Sequence, residues 1–332
     1  MAIIFDLASD EYHNGEGVSS SGLKLVLELP AKFYARYIDP NRERKEPTPA
    51  MVFGTNVHAA ALEPERFAAE YAIRPDVSAV SNKGKTLAAY LENPTEFAAK
   101  FAAIPDGIGK SKEGKALVAE IEASGRVAVD DSVYKFAVEV GEQLAGKTLV
   151  TADEYERIKK TATAVRRHPA IDFVLSMSGG LVESSIYWGD DETGVLCKVR
   201  PDWHLPPCER FPNGIIFDLK TAEDASADGF ARSAVNFGYP LSAAMYQEGY
   251  MKHYGTSEPP EFLFGVVEKE NPNAAACYVA GVDFIKLGRQ EFRKALKVYA
   301  DCVRRGIWPA YSQAIETLEL PDWAAKQIEV ES

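Results

Sequence analysis

Apolar positions recur at helical spacing through the first half of the chain and at strand spacing through much of the second, with the change at Gly179-Gly180. Over 18–38 (VSSSGLKLVLELPAKFYARYI) the serines offer an N-cap, and Leu23, Val26 and Leu27 form an apolar stripe that Pro30 interrupts. This predicts a capped helix followed by a second, short one. A basic, proline-containing loop over 41–49 leads into a helical region over 50–70, with Val52, Val57, Ala60 and Ala61 available for one face. Residues 74–114 are irregular, with SNKGKT and IPDGIGKSKEGKA reading as loops around a short helical piece. Helices are predicted over 113–146 and 151–168, the second with Ile158, Ala162 and Val165 on one side.

Beyond Gly180, LVESSIYWG, a DDETG turn and VLCKVRPDW predict two strands joined by a tight connection, and NGIIFDLKT predicts a third. Helices follow over 225–236 and through LSAAMYQEGYMKHYG, then strands FLFGVVEK and AACYVAGV, then a long amphipathic helix over 284–305. That order predicts an α/β fold, a central mixed sheet flanked by helices, with a helical N-terminal region. The expected organisation is a single domain over 1–332, mostly helical over 1–175 and with an α/β core over 176–332.

Composition adds exclusions. The 332 residues are 46% hydrophobic and 26% charged, as in ordinary globular proteins. No stretch approaches the roughly 20 apolar residues of a membrane span, and the N-terminus lacks the basic start of a secretory signal. Cys197, Cys208, Cys277 and Cys302 form no CxxC pair and read as free thiols in a reducing, cytoplasmic compartment. The net charge of −12 does not favour nucleic acid, but phosphate binding depends on local basic clusters, which a mean does not exclude.

The candidate chemistry lies in the strands. Side chains alternate along a strand, so Asp218 and Lys220 share a face while Phe217 and Leu219 take the other. Charges at the end of the apolar run Ile215-Ile216-Phe217 are costly to place near a core unless they have a task. If the strand ending in Pro201-Asp202 pairs with this one, Asp202 and Asp218 converge, and the two carboxylates repel unless a cation intervenes. Oxygen ligation of that kind suits Mg²⁺ or Mn²⁺ better than zinc. Glu183, in the preceding strand, is placed to reach the same end. Each residue alone also has a plain reading: Asp-x-Lys as a surface ion pair, Pro-Asp as a turn, Glu183 as an exposed carboxylate, His58 as a structural residue of an alanine-rich helix.

Together, SSSGLKLVLELPAKFYARY, FGTNVHAAALEPERF, SKEGKALVAEIEASGR, VESSIYW, VLCKVRPDW, IIFDLKTAEDAS and IWPAYS resemble the RecE-type exodeoxyribonucleases (the C-terminal nuclease domain of exonuclease VIII) of the PD-(D/E)xK superfamily, in order along nearly the whole chain. The resemblance implies a restriction-endonuclease-like core, with His58, Glu183, Asp202, Asp218 and the Leu219 carbonyl at a site for one or two Mg²⁺ ions, Mn²⁺ being able to substitute. It implies Lys220 as the catalytic lysine. Tyr246 fits the tyrosine of the family's Gln-x-x-x-Tyr motif, but Ser242 stands where the glutamine is expected, and the common Trp-Pro-Gly-Tyr ending reads Trp-Pro-Ala-Tyr. Arg200, Arg232 and the basic residues of 41–45 are candidate DNA contacts. The implied activity is 5′-to-3′ degradation of one strand of linear double-stranded DNA from its ends, leaving 3′ overhangs. The implied setting is a bacterial or phage-infected cell, a homo-oligomeric ring, and a RecT-like single-strand annealing protein as partner in recombination. The alternatives are an endonuclease or RecB-like nuclease module, and a non-catalytic DNA-binding protein on the same fold. Two decoys are set aside. Gly84-Lys85-Thr86 and Gly109-Lys110-Ser111 lack the leading glycine of a P-loop, and Cys197, His204 and Cys208 have irregular spacing for zinc.

Overall fold

The computed structural model describes residues 2–4, 7, 9–42, 46–75, 131–312 and 314–325, with isolated positions between 87 and 119. The loops at 81–86 and 104–111, the basic residues 43–45 and most of the first half of the 113–146 helix lie outside the described residues.

In chain order the elements are β1 (Ala2–Ile4), α1 (Ser9–Asn14), α2 (Ser20–Glu28), α3 (Pro30–Phe33) running into a π-helical turn (Tyr34–Ile38), α4 (Pro49–Leu62), α5 (Pro64–Glu70), β2 (Tyr71–Ile73) and α6 (Asp131–Leu144). Then come β3 (Thr148–Val150), α7 (Ala152–Arg167), α8 (Pro169–Leu175), β4 (Leu181–Val182), β5 (Ser185–Gly189), β6 (Leu196–Val199), β7 (Trp203–Leu205) and β8 (Ile215–Ala222). The chain continues through α9 (Ala227–Asn236), α10 (Tyr239–Tyr254), β9 (Glu261–Glu268), β10 (Ala275–Val279), α11 (Val282–Arg305) and α12 (Asp322–Ala325). The expected serine cap is at Ser19, which accepts from the Gly22 amide; Thr48 likewise accepts from Met51, and Thr151 with Glu154 completes a capping box.

The central sheet has the order β10-β9-β8-β7-β4, with β8 and β9 parallel and the other pairs antiparallel. It is the expected mixed sheet flanked by helices. Phe217 and Leu219 enter a core with α4, α7 and α8, while Ile216 enters the core beneath α9 and α10. A second sheet, β1-β5-β6, packs with α2, α10 and α11 around Trp188 and Phe292. Helix α10 serves both sheets, with Leu241 and Met245 in one core and Ala243 and Tyr250 in the other. Among the described residues no helix is long and apolar enough to cross a membrane.

Two expectations change. LVESSIYWG is not one strand: it divides into β4 and β5 at Glu183, whose φ of 49° turns the chain from the central sheet into the small one. VLCKVRPDW divides likewise, with Arg200-Pro201-Asp202 carrying the chain back from β6 to β7. Two strand-to-strand crossings therefore lie side by side at the seam between the sheets. Of the face proposed for 50–70, Val57 and Ala61 are buried but Val52 is exposed, because the buried stripe of α4 runs through Val57, Ala61 and Leu62.

The close approach of α10 and α11 depends on Gly288. A Cβ there would lie 1.9 Å from the Pro240 carbonyl oxygen and 3.1 Å from the Ala244 Cβ. Gly288→Ala should lower stability by about 1–3 kcal/mol through this overpacking, read from urea denaturation. An unchanged midpoint would show that the two helices can part without loss.

Candidate metal and nuclease centre

Register places the acidic residues. The β4–β7 pairing sets Val182 opposite Trp203, so the next step brings Glu183 opposite Asp202, and the Glu183 amide donates to the Asp202 carbonyl at 3.2 Å. The β7–β8 pairing sets Trp203 opposite Phe217, and the same step brings Asp202 opposite Asp218. Glu183, Asp202 and Asp218 thus form a row across three adjacent strands. Lys220, one same-face step along β8, pairs with the Asp218 carboxylate and donates to the Leu219 carbonyl at 3.3 Å.

His58 reaches the row from α4, its Nδ1 3.5 Å from Asp202 Oδ2. One donor atom each from His58, Glu183 and Asp202 lie within 4.8 Å of one another, the one such group of three among the described residues. Asp218 is not in that trio, and Lys220 engages its carboxylate. Asp202 Oδ2 also accepts the Leu219 amide at 2.7 Å, which fixes its orientation against β8. Imidazole and carboxylate oxygen donors suit a divalent cation.

Electrostatics agree with that fit. Burial, reinforced by Asp202, pushes the Glu183 carboxyl up to about 8, with Arg200 opposing. Burial also raises the Asp218 carboxyl, which Lys220 only partly offsets. Burial works against the Lys220 ammonium, yet Asp218 and then Asp202 hold it above the usual lysine range. Buried carboxylates that resist ionising together are a place where added positive charge is favourable.

A cavity of about 680 Å³ opens on the Glu183 and Asp202 part of the row, lined among others by Ser20, His58, Glu63, Arg66 and Tyr246, while Asp218 and Lys220 are not among its lining residues. Tyr246 comes from α10, and burial, then Tyr12 and the carboxylates, keeps its phenol protonated. Ser242 lies one turn earlier on that helix and is not among the lining residues. Arg200 turns inward: Nε donates to the Glu183 carbonyl at 3.0 Å, the guanidinium donates to the Leu7 carbonyl, and it stacks on Tyr12 at 4.9 Å. Arg232 is exposed on α9 and does not line the cavity. Of the residues set aside as a zinc decoy, Cys197 is in the small-sheet core, His204 bonds Tyr254, and Cys208 is exposed. Sequence reasoning passed over Glu63 and Arg66, although their i, i+3 spacing five and eight residues after His58 puts them near its helix, and it had no signal for Tyr12.

The Glu183 shift carries a pH dependence. Without metal the folded protein retains a proton that the unfolded chain releases above its ordinary value of 4.5, so stability falls as pH rises from there to about 8. Glu183→Gln removes this loss. In chelator, the melting temperature of the variant minus that of the parent should grow through this window; a constant difference would contradict the buried like-charge pair.

A family model described as "PDDEXK-like domain of unknown function (DUF3799)" matches residues 19–321. No curated protein matches the sequence. Among solved structures, one named "Putative exonuclease" from Eubacterium rectale aligns over 99% of this chain and 96% of its own, at 14% identity and a TM-score of 0.50, a likeness of fold. Another, named SSO0001, covers 46% of this chain and 68% of its own at 13% identity, with a TM-score of 0.27. With the match spanning most of the sequence and the acidic row in place, the chain belongs to this PDDEXK-like family.

Proposed function

We propose that the protein is a divalent-metal-dependent exodeoxyribonuclease acting on the ends of linear double-stranded DNA. The observation that carries this reading is the row of Glu183, Asp202 and Asp218, set by the pairing of β4, β7 and β8, with His58 against Asp202 and Lys220 against Asp218. A bound Mg²⁺ would supply charge neutralisation at the scissile phosphate and an acidified water. Glu183, Asp202, Asp218 and His58, with the Leu219 carbonyl, are the residues to hold one or two such ions. Lys220, kept protonated by Asp218, acts as a positioned cation that stabilises charge developing on the phosphate oxygens. Arg200 braces the Glu183 backbone in its left-handed turn, and the protonated Tyr246 hydroxyl is available as a donor into the cavity. In this reading the activity is RecE-like, running 5′ to 3′ and leaving 3′ overhangs for a single-strand annealing partner, in a ring of identical subunits.

Purified protein with Mg²⁺ or Mn²⁺ should degrade linear duplexes labelled at either end, releasing label first from the 5′ terminus, and should spare covalently closed circles. Cutting of closed circles would instead favour an endonuclease, and inertness on every substrate a binding module. Asp218→Ala and Lys220→Ala should each lower the rate by at least about 10²-fold, the scale of one lost electrostatic stabiliser, while DNA binding remains measurable. Cleavage at the parent rate in both variants would show that the centre lies elsewhere.

A further inference from the structure

Lys24 is a charged residue beside the centre that the mechanism above does not use. It sits on α2, three and four residues after Ser21 and Ser20, which line the cavity, and shares their face of the helix, though it does not itself line the cavity. Its alkyl stem lies flat on Gly238, where a Cβ would come within 3.2–3.3 Å of Lys24 Cγ, Cδ and Cε. Gly238 has a φ of 63° and precedes the first turn of α10, so the backbone favours glycine and leaves room for the stem. The stem delivers the ammonium to the Tyr239 ring, 5.2 Å from its centroid; the Lys220 ammonium lies 5.4 Å from that same centroid.

Two lysines thus share one aromatic ring, and their charge balance differs. Lys220 has Asp218 as a direct partner, whereas Lys24 forms no ion pair among the described residues. Burial, then repulsion from Lys220, lowers the Lys24 ammonium to about 8, with Asp218 and Glu291 opposing at longer range. A half-buried, unpaired cation next to a metal and lysine centre is unfavourable in the free protein and is relieved by an anion.

We propose that Lys24 is a phosphate-binding residue, contacting a backbone phosphate of the DNA strand next to the one that is cleaved. This rests on the nuclease reading and adds a substrate contact to it. Lys24 and Lys220 then divide the work: the partnered lysine serves the reacting phosphate, and the unpartnered one sets the register of the strand.

The test is binding, which needs no cleavage. A fluorescein-labelled duplex with a 5′ phosphate is titrated in chelator against the parent, Lys24→Met and Lys24→Arg, across a range of salt, with folding of each checked by thermal melts. Lys24→Met keeps the stem on Gly238 and Tyr239 but removes the charge. It should weaken binding about tenfold, as expected for one charge-assisted contact. It should also make the plot of log K against log salt shallower by about 0.7–0.9, the signature of one lost phosphate contact. Lys24→Arg should recover the parental slope; should the methionine variant not fold, Lys24→Gln takes its place in the same comparison. Parental affinity and slope in the charge-removed variant would overturn the inference while leaving the nuclease reading intact. Failure of the parent to bind DNA in chelator and also with Ca²⁺ added would overturn both.

Discussion

Repulsion among closely set, partly to fully buried carboxylates is the constraint on which the rest of this structure turns. Glu183, Asp202 and Asp218 are brought into one row by strand pairing, and pairing leaves them no freedom to move apart. Each is restrained by a different device. Asp218 is matched by Lys220, Asp202 accepts the Leu219 amide and faces His58, and Glu183 shares Arg200 while holding on to its proton. The protein thus keeps a cluster that costs stability in the metal-free state, as functional sites commonly do.

The two-sheet architecture explains why the row forms where it does. Strands that continued straight through 181–189 and 196–205 would carry Glu183 and Asp202 in the interior of one sheet. Instead both cross between sheets at these residues, and the crossings are tied together by the Glu183 amide on the Asp202 carbonyl and by Arg200 on the Glu183 carbonyl. Helix α10 packs against both sheets and brings Tyr246 to the cavity. Helix α4 closes the other side and supplies His58.

Much of this is legible in the residues. Alternation along Ile215–Lys220 puts Asp218 and Lys220 on one face, and Asp202 was expected to converge on Asp218 only if its strand paired with theirs; the register that sets them opposite one another comes from the structure. The cap at Ser19, the break at Pro30 and the long helix before Gly306 are equally local. Glu183 was readable as an acid near the site, but its left-handed backbone was not, since glutamate carries no preference for it and only the sheet crossing imposes it. Three-residue β1 has too few positions for a period to emerge, and its strand character comes from the edge of β5. Helix α10 shows little sidedness because it is buried against two sheets. The place of Lys24 depends on how α2 docks on the start of α10, a tertiary fact with no trace in spacing.

As a metal centre, the row should bind a divalent cation. A crystal soaked with Mn²⁺ and measured near the manganese absorption edge tests it directly. An anomalous peak is expected at coordination distance from His58, Asp202 and at least one of Glu183 and Asp218. Crystals that show no peak there at saturating Mn²⁺, or a peak only elsewhere on the surface, would contradict it.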